Sequence, residues 1–412
     1  MTSVTNVTEG AIGRYLELGL ALGRHVDGLV DAYYGPEALS ERARHGPPVP
    51  PAQLVSRARH LLADLDGGAP LGNPSAPTGH RPSDDAGGRR HWVRAQVVGL
   101  LTSARRLAGE QIGYAEEVEV CYGVRPQLVP EDELRAAHRR LDEALPGSGP
   151  LPDRLIAWRE AHAVPGARLT GAIQSLADDF RERTERLFGL PDDEHVDFEL
   201  VTDKPWSGFN KYLGGLRSLV SINTDLPVLS ISLGHLVAHE AYPGHHTEHC
   251  RKEAGLVRRH HWLEETIFLV GTPQCLVAEG LADLGLEVIV GRRPEAVLAA
   301  HLQPLGIPYD AEVIAAVAEA GEALGAARGN AAWQLHVDGA DPDAVTDWMA
   351  RWALLPRARA AKMIEFLVHP TWRAYISCYV EGLPLCRRFV DGDPVRFARL
   401  LTEQLTPADL AA

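Results

Sequence analysis

The chain has 412 residues, 45% hydrophobic and 23% charged, with 41 Lys and Arg against 55 Asp and Glu and a formal charge of −14. This composition excludes wholesale disorder, and the acidic balance argues against nucleic acid or an anionic membrane surface as a partner. The five cysteines, Cys121, Cys250, Cys275, Cys378 and Cys386, are far apart and form no CxxC pair. A disulfide scaffold and a thiolate zinc site are therefore not expected, and a reducing, cytoplasmic location is.

In chain order, MTSVTNVTEGAIGRYLELG has no basic region followed by an apolar run, so no signal peptide is expected. Apolar residues at three-to-four spacing predict helices over QLVSRARHLLADL, HWVRAQVVGLLTSARRLAGE, EDELRAAHRRLDEAL and LTGAIQSLADDFRERTERLFGL. A Gly/Pro/Ser/Asp-rich stretch, residues 66–90, reads as a flexible loop between the first two. Two segments read as strands, HVDFELV at 195–201 and LRSLVSINT at 216–224, and the second leads into the helix LSISLGHLVAHE. The helical pattern returns in CLVAEGLADLGLEVIV, in AEVIAAVAEAGEALGAARGNAAWQLHV and in PRARAAKMIEFLV. The chain thus reads as mainly α, with a small β element beside one helix. It divides into an N-terminal helical region, 1–190, and a metal-binding region, 191–412, forming one continuous compact unit. No stretch approaches the roughly 20 apolar residues that span a bilayer.

Seven of the 18 histidines fall between positions 235 and 261. Their centre reads His239-Glu240-Ala241-Tyr242-Pro243-Gly244-His245-His246. A His-Glu pair on a helix, followed by another His, supplies neutral imidazoles for Zn²⁺ and a carboxylate that takes a proton from water. The common HExxH spacing puts both His on one helical face, but here Pro243 occupies the second position. On an unbroken helix His245 lies about −120° from His239, and His246 returns to the same face about 10 Å along the axis. Pro243 cannot donate a backbone hydrogen bond and Gly244 tolerates unusual dihedrals, so the pair is expected to end or bulge the helix so that a later His, His245, swings back to the metal. His246 stays open as the alternative ligand. The i,i+4 pairs His235/His239 and His245/His249 are further metal-binding options.

HEAYPGHH resembles the HExxPGHH signature of a widespread bacterial family known as domain of unknown function 885, itself similar to the gluzincins, helical zinc metallopeptidases such as thimet oligopeptidase and angiotensin-converting enzyme. The resemblance covers about residues 200–390. It implies a third ligand, Glu279, in the helix Ala278-Glu279-Gly280-Leu281-Ala282-Asp283-Leu284, with Asp283 four residues later orienting a ligand histidine. Leu281 and Leu284 replace the aromatic pair that many members carry there. It further implies an oxyanion donor at Tyr379, in Tyr379-Val380-Glu381-Gly382, with His369 ten residues earlier as a helper and Tyr375 in reserve. Strand 216–224 is expected to be the edge that binds substrate backbone, with Asn223 contributing.

Together these readings describe a gluzincin-like zinc hydrolase. His239, His245 and Glu279 would hold the ion, and Glu240 would act as base. Tyr379 and His369 would stabilise the oxyanion, while Asn223 and Tyr375 would bind a short peptide or small amide. The alternatives are a zinc enzyme acting on a non-peptide amide or ester in secondary metabolism, or a non-catalytic metal-binding protein. No oligomeric state is legible.

Overall fold

The computed structural model describes residues 10–72, 86–204 and 206–412. Helix dominates it, as the apolar spacing predicts, and two small sheets accompany the helices. Helices Ala11–Gly23, Pro51–Asp66 and Ala86–Leu107 enclose a first apolar core around Ile12, Leu16, Leu61 and Trp92. In the second of these helices Leu54, Ala58, Leu61 and Leu65 face inward, one per turn, and Pro51 opens it where no N–H is needed. The expected loop at 66–90 is shorter than its composition suggests. Asp66 still belongs to one helix and Ala86 already begins the next, while positions 73–85 lie outside the described residues.

A second, larger core gathers the remaining helices. Helix Gly166–Phe188 turns Leu169, Ile173, Leu176 and Phe180 into it and stops at Gly189, whose φ of +68° suits a residue without Cβ. The segment expected as one helix over 311–337 is broken. It comprises helix Ala311–Gly321, a 3₁₀ turn Glu322–Ala326 and helix Ala327–His336. Gly321 and Gly325 sit at that break, where their low helix propensity lets the chain tighten. No described helix is long and apolar enough to cross a membrane.

Among the described residues the strands are β1 (Val30–Tyr33), β2 (His195–Val201), β3 (Gly208–Gly214), β4 (Arg217–Asn223) and β5 (Ile267–Leu269). β2 pairs parallel and β3 antiparallel with β4, in the order β2-β4-β3. The strand expected at an edge is therefore the centre of its sheet, and β3 is an edge. β4 is covered on both faces, with Val220, Ser221 and Ile222 all buried in succession, which a central strand requires. β1 pairs antiparallel with β5, bringing residues 30–33 against residues 267–269. A buried Arg89–Glu264 ion pair reinforces the junction, with Arg89 Nη2 2.6 Å from Glu264 Oε2.

Candidate metal centre

The helix Ser230–Glu240 ends at Ala241, the Tyr242–Pro243 peptide is cis, and a new helix starts at His245. Gly244 is required here for space. A Cβ at this position would lie 1.9 Å from the His239 carbonyl oxygen, and the Gly244 N–H donates to Ala238 O at 2.9 Å. The turn brings the His245 ring back onto the first helix, with Nε2 3.1 Å from Nε2 of His239. The two rings meet edge-to-face.

Glu279 reaches the same point from the helix Pro273–Val290. Its Oε2 lies 3.5 Å from His239 Nε2, and its Oε1 lies 3.5 Å from His245 Nε2. Gly280, beside it, allows the late helix Ile376–Val390 to come into direct contact: a Cβ on Gly280 would lie 2.4 Å from the Gly382 carbonyl oxygen. This close crossing sets Tyr375 against Glu279, with Tyr379 behind it. The Tyr375 hydroxyl donates to Glu279 Oε1 at 2.7 Å, and the Tyr379 ring packs edge-to-face on Tyr375, centroids 5.4 Å apart.

Asp283 takes the far side of His239, Oδ1 to Nδ1 at 2.9 Å, with His235 Nε2 3.4 Å from the same oxygen. That contact commits the Nδ1–H of His239 to Asp283 and leaves the Nε2 lone pair facing His245 and Glu279. Burial pushes Glu279 up, but its contacts with His239 and His245 outweigh this and hold it down at about 2. The same balance, with His235 and His239 as partners, holds Asp283 well below the usual carboxylate range. Glu240 differs: burial raises it, against the opposing pull of His239 and His245. Its carboxylate occupies the space left by Gly208, whose Cβ would sit 2.9 Å from Glu240 Oε1.

The donor triangle has edges of 3.1, 3.5 and 3.5 Å. Three ligands at about 2.0–2.1 Å around a tetrahedral ion stand about 3.3 Å apart, so the three residues fit a metal ion without rearrangement. The buried Oε2 of Glu279 has no hydrogen-bond partner among the described residues, an unmet demand that a cation satisfies. His235, His239 and Asp283 form a second donor group. It draws on the Nδ1 face of His239 and on the exposed His235, away from the cleft.

The centre opens into a cleft of about 530 Å³. Glu240, Tyr375 and Tyr379 line it, and so does His369, exposed where the helix Arg357–Val368 ends. His246 is turned away. It is fully buried, with Nδ1 2.9 Å from Ser218 Oγ and Nε2 2.7 Å from Glu194 Oε2. Asn223 does not line the cleft. Its amide donates to the carbonyls of Lys204 and Trp206, shaping the loop before β3. Gly208, Phe209 and Asn210 of β3 face the cleft, together with Asp31 of β1 and Phe268 of β5, and Asn210 Nδ2 donates to the Glu240 carbonyl at 2.6 Å. Aromatic pairs stand along its walls, Trp206 on Phe209 and Phe366 on Trp372.

Sequence reasoning missed Glu194, Asp31 and the β3 contribution. Glu194 accepts from Tyr242 and Arg181 as well as His246, and these contacts outweigh its burial and hold it at about 2. Asp31 lies in β1, far along the chain from any motif residue, and β3 hides its period because its buried face carries Asn210.

No protein-family model matches the chain, and no curated protein matches it. Solved structures similar in fold include a candidate lipoprotein from Colwellia psychrerythraea, with TM-score 0.51 and 14% identity over 87% of this chain and 65% of that one. A second candidate lipoprotein of unknown function, from Shewanella oneidensis, has TM-score 0.48 and 12% identity over 90% and 75%. An M32 carboxypeptidase from Deinococcus radiodurans R1 has TM-score 0.41 and 14% identity over 98% and 94%. The chain thus spans 65% of the length of the first of these, and the likeness is one of fold.

Proposed function

We propose that the protein is a zinc-dependent hydrolase that cleaves amide bonds in short peptides or peptide-like substrates. The observation that carries this reading is the triangle of His239, His245 and Glu279, set beside the Glu240 carboxylate in one cleft. Zinc bound by these three residues would supply Lewis-acid polarisation of a carbonyl and acidify water. The burial that raises Glu240 moves it toward the range of a general base, so it takes the proton from the attacking water and returns it to the leaving amine.

Tyr379 stays protonated, because burial raises its phenol well above the ordinary value, and it donates to the oxyanion as that charge develops. Tyr375 and Asp283 position Glu279 and His239. The edge of β3 offers a docking line for substrate backbone. Ser207 O accepts from Asn223 N, so the ladder alternation turns the main-chain groups of Gly208 and Asn210 away from β4. Five unpaired, buried cysteines support a cytoplasmic location.

Metal analysis paired with a panel of peptides and small acyl amides tests this reading. Glu240→Gln is expected to keep one zinc per chain and to lose about 10²–10⁴-fold in turnover. Loss of the metal would make Glu240 a ligand. Unchanged turnover would overturn the hydrolase reading, and cleavage of acyl amides but not peptides would move the substrate class.

A further inference from the structure

Asp31 enters the cleft from the N-terminal region, through an irregularity in the β1–β5 ladder. Val30 is opposite Leu269 and Ala32 is opposite Phe268, so Asp31 is the extra residue between two consecutive pairs. A bulge of this kind leaves one residue unpaired and re-aims its side chain. Both flanks are fixed: Val270 N donates to Leu29 O at 2.9 Å, and the turn before β1 is seated on Trp372, whose ring leaves no room for a Cβ at Gly28. The backbone thus holds the half-buried Asp31 carboxylate in the wall of the cleft that holds Glu240 and Glu279.

This carboxylate lacks what Glu279 and Asp283 have. Glu279 accepts from Tyr375, and Asp283 faces His235 and His239. Asp31 has no hydrogen-bond or ion-pair partner among the described residues. Burial pushes it up to about 7; His245 opposes the shift, while Glu279 and Glu240 add to it. An uncompensated carboxylate in such surroundings gains most from a cation arriving with the ligand. A second metal ion does not fit, because Asp31 belongs to no group of three donors able to hold one among the described residues. A hydrogen-bonding organic cation does.

We infer that Asp31 receives the free α-ammonium group of the substrate, so that the enzyme takes short peptides by an unblocked amino terminus. The inference rests on the hydrolase reading for the position of the scissile bond, and it deepens that reading from amide hydrolysis to a class of substrate. An N-acylated peptide loses the positive charge, and its added acyl group must sit against the bulge.

The test is calorimetric binding to the zinc-loaded full chain of leucine hydroxamate, which has a free amine, and of N-acetyl-leucine hydroxamate, which does not. The free-amine probe is expected to bind about 10–100-fold tighter, the range of a charge-assisted hydrogen bond in a partly desolvated site. Asp31→Asn is expected to remove that preference by weakening the free-amine probe alone, with zinc content and N-acetyl binding unchanged, and Asp31→Glu to restore part of it. Equal binding of the two probes by the native protein, binding of neither, or equal weakening of both by Asp31→Asn overturns the inference. Turnover of free and N-acetylated peptides is measured separately. Failure to cleave either, with the binding preference intact, would sink the hydrolase reading and leave the ammonium site standing.

Discussion

His245 and His246 are adjacent in sequence and opposite in fate. On the His246 side every polar demand is met: Ser218 and Glu194 take the two ring nitrogens, and Tyr242 and Arg181 complete Glu194. On the His245 side two imidazole nitrogens face each other at 3.1 Å, and a buried carboxylate oxygen has no hydrogen-bond partner among the described residues. Both are buried histidine–carboxylate clusters. What separates them is saturation. A network whose donors and acceptors are all paired holds the chain in place, whereas one with a shared deficit of positive charge is built to receive a cation.

The largest effect that can break this contrast is on metal content. His239→Ala is expected to take bound zinc from one equivalent to none, while His246→Ala keeps the full equivalent, both read by elemental analysis of purified protein. Loss of metal from both variants would erase the distinction. Next in size is Tyr379→Phe, expected to lower kcat by about 10²–10³-fold with little change in KM and no change in zinc. Tyr375 touches a ligand, and Tyr375→Phe should weaken metal affinity about 10–100-fold, measured by competition with a chelator.

The smallest effect belongs to the saturated cluster. Glu194 sits at about 2 in the folded protein against an ordinary 4.5. A depressed carboxylate stabilises the fold above its unfolded value, and the contribution is lost as pH falls through the folded one. Melting temperature followed between pH 5 and 2 should therefore fall faster for the native protein than for Glu194→Gln. At neutral pH that variant should melt lower by about 3 °C, with zinc binding retained.

Much of the candidate centre was legible because it is written locally. Pro243 and Gly244 announce the end or bulge of a helix by their own stereochemistry, whereas Glu279 and Asp283 were reached through the family resemblance of HEAYPGHH. The choice between His245 and His246 was not local. It depends on Ser218 and Glu194, which reach the ring from β4 and from the residue before β2. Asp31 left no trace in the sequence, since a four-residue strand is too short to display a period and its partner, β5, has three residues. The placement of β4 as an edge failed for a related reason: a run covered on both faces looks the same whether its neighbours are known or not, and β3 was unread. Gly280 and Gly382 were visible as letters, but their meaning, a helix crossing too tight for any side chain, exists only between the two helices.

The pairing of Val30 with Leu269 has a consequence for how the molecule comes into being. These residues stand more than half the chain apart, so the ribosome has finished the N-terminal helices long before the partner of β1 exists. Closure of that ladder carries the entropic cost of a very long loop and belongs to the late, slow part of folding. Until then the wall that bears Asp31 is detached from the helices that bear His239 and Glu279. A chain that stops short of β5 thus lacks the pairing that holds this wall of the cleft.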